Sequence, residues 1–170
     1  MQPGKTTKKL LPALFTCVIV ASAGLALSQS AIVRSAQPIT VSLSGAVERQ
    51  SGKVAIEKAG SVNPGEIIHY TITSTNAGPS AAHQYKAVGP IPIQTVYVEG
   101  SANAEGASVV YSIDRGKSFS SKPMIEQRQP DGSVKTVPAP VSMYTHLRFD
   151  WPSPFAPDSH CSASYQVRVK

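Results

Sequence analysis

The chain has 170 residues, enough for one domain plus a targeting segment. Its net charge of +6 comes mostly from the first residues: four of the 16 basic residues (Lys5, Lys8, Lys9, Arg34) and none of the 10 acidic ones lie in residues 1–36, which leaves 12 against 10. That near balance excludes a nucleic-acid or membrane-surface role argued from the whole-chain charge. Of the two cysteines, Cys17 lies in the leader, so an exported domain keeps only Cys161 and has no internal disulfide.

Lys5, Lys8 and Lys9 form a positive stretch ahead of residues 10–20, which are apolar except for Pro12 and Thr16 and a few small residues. Ala21-Ser22-Ala23 and Ala26-Leu27-Ser28 then place small residues where a signal peptidase requires them. The pattern predicts a helical N-terminal signal segment with a polar lead-in over residues 1–36. Its alternative is an uncleaved anchor, since residues 10–27 approach the length of about 17 residues that spans a bilayer.

Period-two runs follow one another from there. Val41 and Leu43 alternate with Ser42 and Ser44; Val54 and Ile56 alternate with Lys53 and Glu57. Ile68, Tyr70 and Ile72 alternate with His69, Thr71 and Thr73, between the turns Asn63-Pro64-Gly65-Glu66 and Asn76-Ala77-Gly78-Pro79. Val96 and Val98 are expected on one face, with Tyr97 opposite. Val109, Tyr111 and Ile113 make a further run, then Met143, Thr145, Leu147, Phe149 and Trp151, and finally Tyr165, Val167 and Val169. Residues 118–140, rich in proline, read as a long loop or loose hairpin with Asp131-Gly132 at its tip. Seven to nine short strands with turns between them and no helical apolar repeat predict an all-β chain. The expected fold is an immunoglobulin-like antiparallel β-sandwich over residues 37–170.

Several segments carry a resemblance. Pro64-Gly65-Glu66, Tyr70-Thr71, Asn76-Ala77-Gly78-Pro79 and Ala81-Ala82 resemble the opening of a bacterial conserved-repeat surface domain, the family known as domain of unknown function number eleven. Val96-Tyr97-Val98-Glu99-Gly100-Ser101, the stretch from Tyr111 to Phe119, and Trp151 with Ala156-Pro157-Asp158 resemble later segments of it. The sequence departs from the family at Gly89-Pro90, where an Asp is common, and at Asp158, where Gly is usual. The resemblance implies an immunoglobulin-like module outside the cell and carries over no catalytic residue.

Candidate chemistry is sparse. His69, His83, His146 and His160 lack metal-ligand spacing, although His69 and His146 would meet if their strands paired. No nucleophile elbow is present, and nothing around Cys161 resembles a catalytic motif. Tyr97 and Tyr144, expected on the polar faces of their strands, are candidate ligand contacts that would stack on sugar rings. The last strand, near the chain end, is a candidate edge for strand addition, with Arg168 and Lys170 as charges that would discourage it. The expectation is therefore an exported, non-enzymatic module with a structural, adhesive or protein-interaction role at the bacterial cell envelope, in the periplasm, at the cell surface or outside the cell. It is expected to use no cofactor or metal and to bind no nucleic acid. Its partner would be an envelope or cell-surface protein, or a glycan, with membrane association only through an uncleaved leader. The alternative is a carbohydrate-binding module of the envelope or secreted fraction.

Overall fold

The structure, a computed structural model, describes residues 39–50 and 52–170; the expected signal segment lies outside them. The described chain is all-β. Its strands are β1 (Ile39–Arg49), β2 (Gly52–Ala55), β3 (Ile67–Asn76), β4 (Lys86–Pro90), β5 (Thr95–Tyr97), β6 (Asn103–Ala104), β7 (Ser108–Ser112), β8 (Met124–Arg128), β9 (Val134–Pro138), β10 (His146–Asp150) and β11 (Ser159–Val169). Two single-turn 3-10 helices, η1 (Ile56–Lys58) and η2 (Val141–Met143), interrupt them. Among the described residues no helix is long and apolar enough to cross a membrane.

All strand pairs are antiparallel. One sheet runs β2-β1-β3-β11-β5, with β6 also on β11; the second runs β4-β10-β7. The two face each other across one core, in which Val47, Ile68, Ile72, Tyr165 and Val167 of the first sheet meet Ala87, Leu147 and Phe149 of the second. This is the two-sheet sandwich expected from the sequence. The sheets approach closely at Gly89 on β4. A Cβ there would lie 2.5 Å from the Tyr165 ring, so only glycine lets the sheets close at that point.

The turns form as their residues dictate. Gly65 takes a positive φ of 88°, the Glu66 N–H donates to the Asn63 carbonyl (3.1 Å), and the Glu66 side chain accepts the Asn63 N–H (2.6 Å). At the other end of β3, Asn76 is buried. Its amide donates to the carbonyls of Ser80, Phe155 and Ala156 at 3.0–3.1 Å, and its oxygen accepts the Gly78 N–H. The turn after β3 is thus pinned to the loop that leads into β11.

Residues 118–140 contain a hairpin, β8–β9, forming a separate two-stranded sheet. Asp131-Gly132 stands at its tip as expected: Gly132 has φ 86°, and the Asp131 carboxylate accepts the N–H and the hydroxyl of Ser133.

Three expectations are corrected. β11 is an interior strand, flanked by β3 on one side and by β5 and β6 on the other, so it offers no long edge. The run through Met143 is not one strand: Met143 ends η2, and the strand begins at His146. Tyr97 points inward with Thr95, while Val96 is only half-buried, so the faces of β5 are exchanged relative to the sequence pattern. Tyr97 tolerates this position because its hydroxyl accepts the Ala102 N–H (3.2 Å) while its ring packs.

Candidate functional site

The first candidate is the N-terminal half of β1. Directly paired residues on antiparallel strands share a face. Val41 pairs with Ser74 and Leu43 with Ile72, both buried, so Val41 and Leu43 are on the core-facing side. Yet they are 57% and 45% exposed. β2 covers only residues 46–49 of the far side of β1, so among the described residues the other edge of residues 39–45 has no strand beside it. The run Ile39-Thr40-Val41-Ser42-Leu43-Ser44-Gly45 carries no charge and no proline, the devices by which natural edge strands discourage pairing. On its other face, Thr40, Ser42 and Ser44 line up with Thr75, Thr73 and Thr71 of β3 as an uncharged hydroxyl surface.

The second candidate lies where β5, β7 and η2 converge. Tyr97 from β5, Tyr111 from β7 and Tyr144 directly after η2 form one aromatic cluster, with ring centroids 4.8 Å apart for Tyr111–Tyr144, 5.5 Å for Tyr97–Tyr111 and 6.3 Å for Tyr97–Tyr144. The two tyrosines singled out in the sequence are therefore brought together, though Tyr97 is only 2% exposed and Tyr144 lies outside any strand. The cluster forms one wall of a cleft of about 680 Å³ whose other walls include Pro138, Pro140 and Val141, with Glu99 and Lys122 also lining it. Burial, then the hydrogen bond with Tyr97, raises the Tyr111 hydroxyl far above its usual pKa; burial, then the Glu99 carboxylate, raises that of Tyr144. Both remain neutral donors across the physiological range.

Other candidates separate. His69 and His146 are on strands of different sheets; His69 bonds the Glu48 carboxylate (2.7 Å), and His146 bonds the Thr145 hydroxyl. Among the described residues, no three His, Cys, Asp or Glu side chains converge as a metal site would require. Cys161 sits half-buried opposite Ser74, and burial pushes its thiol pKa up, away from the reactive thiolate. Asp114 organises the loop after β7. Hydrogen bonds from the Ser118 hydroxyl and N–H, then the Ser112 hydroxyl, hold its carboxyl well below the usual range. Arg148 forks onto Asp150 (2.7 and 2.8 Å) and lies over the Phe119 ring.

Two features escaped the sequence reading. The uncharged, proline-free run at residues 39–45 was a visible signal for an unprotected edge. Tyr111 had none as a cleft residue, because positions 97, 111 and 144 meet only when the sandwich closes.

The chain matches no known family model, and no curated protein or solved structure is significantly similar to it. The resemblance to the conserved-repeat surface family rests on its motifs alone.

Proposed function

We propose that this protein is an exported, non-enzymatic β-sandwich module that acts at the bacterial cell envelope through protein contacts. The observation that carries this reading is the margin of β1, which is unpaired among the described residues and lies beside two exposed apolar side chains, Val41 and Leu43, on the core-facing side. Such a margin suits an added strand, whose backbone would continue the ladder and whose alternate side chains would cover Val41 and Leu43. Export is supported by the positive and apolar pattern of residues 5–28.

A photo-cross-linking residue at position 42 of the full chain, expressed in cells, tests it. The expected result is a discrete adduct with an envelope protein, lost in Val41→Lys and absent when the probe replaces Gln127 on β8. No adduct at position 42, or the same adducts at both positions, removes the reading.

A second reading, a carbohydrate-binding module, is favoured by one specific observation: Tyr97 and Tyr144 converge on a single cleft.

A further inference from the structure

The cleft walled by Tyr97, Tyr111 and Tyr144 is, we propose, a binding site for a short neutral oligosaccharide, with Glu99 and Lys122 as its hydroxyl-reading groups. This deepens the carbohydrate-binding reading and is independent of strand addition, because no cleft residue belongs to β1.

Size comes first. About 680 Å³ falls inside the range of roughly 300–1,000 Å³ that small-ligand sites occupy. Rigidity is next: three rings packed against one another at 4.8–6.3 Å, two of the pairs stacked and Tyr97–Tyr111 tilted, are held by their own contacts, so a ligand need not order them.

The chemistry of the walls then narrows the class. Glu99 only accepts hydrogen bonds and Lys122 only donates them, and both line the same cleft. A ligand of either charge is attracted by one of the two and repelled by the other, so the pair gives no net preference for charge. An aromatic cage for a cation needs ring faces around an open centre, whereas these rings face one another at packing distance. A wholly apolar ligand would strip water from Glu99, Lys122 and the tyrosine hydroxyls without replacing its hydrogen bonds. A sugar ring satisfies all of these groups. Its hydroxyls both donate and accept, and its C–H face lies against Pro138, Pro140 and Val141.

The test is an NMR titration of the 15N-labelled full chain with neutral hexaoses (cello-, xylo-, chito- and malto-oligosaccharides), alongside an acidic galacturonate and a cationic glucosamine oligomer. The expected result is a saturable shift of amides at Gly100, Ser121 and Val141 with at least one neutral sugar. Glu99→Gln and Lys122→Gln, both exposed positions, should each weaken it about fivefold or more, while Asp131→Asn at the hairpin tip leaves it unchanged. No shift with any oligomer up to about 10 mM overturns both the site and the carbohydrate-binding reading. Neutral-sugar shifts that map elsewhere, or that ignore Glu99→Gln and Lys122→Gln, overturn the site alone. Saturation only by a charged oligomer overturns the ligand class.

Discussion

β1 and β11 are each eleven residues long, each pairs with β3, and each alternates apolar and polar side chains. On β11 the core-facing Ala163, Tyr165 and Val167 are essentially inaccessible, as are Gly45 and Val47 opposite the last two on β1; farther out on β1, Val41 and Leu43 remain about half exposed. Both sets face the same side of the same sheet. What differs is the cover: Gly89 on β4 of the second sheet lies directly over Tyr165 of β11, whereas Val41 and Leu43 are not among the side chains packed into the core. Burial here is a property of which strand lies opposite, and the alternating pattern fixes only which face would be buried if cover existed.

The largest effect that tests this comparison is at Tyr165. Its ring stacks on Tyr70 (5.4 Å), underlies Gly89, and its hydroxyl donates to the Pro90 carbonyl (2.6 Å). Tyr165→Ala should cost about 3–5 kcal/mol of unfolding free energy, the range for losing a fully buried aromatic, read as a lower urea midpoint with an unchanged slope. A loss under about 1 kcal/mol would mean that the two strands are energetically alike and that the contrast in cover is empty.

Asn76 gives the next effect. It stands opposite Ile39 of β1 and Ser159 of β11, so it anchors the end where the two strands differ most. Asn76→Ala should cost about 2–3 kcal/mol, because the Phe155 and Ala156 carbonyls lose a buried donor. Asn76→Asp sharpens the point: it keeps the acceptor for Gly78 and removes the donors, so it should be no more stable than Asn76→Ala. An Asp variant near wild-type stability would place the role in the Gly78 bond alone.

Local features of this architecture were legible in the sequence where local chemistry sufficed. Pro64-Gly65, the Asn76 turn and Asp131-Gly132 formed where expected, since positive φ and side-chain turns are set within four residues. The inward faces of β3 and β11 were also readable, because each has several alternations to fix its phase. β5 has only three residues, and a tyrosine suits either face, so Tyr97 was assigned to the wrong one. The interior place of β11, the open side of β1 and the meeting of Tyr97, Tyr111 and Tyr144 depend on strand order and sheet closure, which no run of adjacent residues encodes.

The smallest effect belongs to β1 itself. Val41→Thr with Leu43→Thr puts a β-branched residue at both positions, retains strand propensity and removes apolar surface that the folded chain leaves open. Stability should therefore change by no more than about 0.5 kcal/mol, the range of an ordinary surface change, although the same exchange at the inaccessible Val167 would bury a hydroxyl in the apolar core. The pair should instead lower any tendency of the free edge to recruit another strand, since that edge would then offer backbone alone. Urea unfolding of the double variant decides it. A loss of about 2 kcal/mol or more would mean that Val41 and Leu43 are covered in solution, and the open margin on which strand addition depends would not exist.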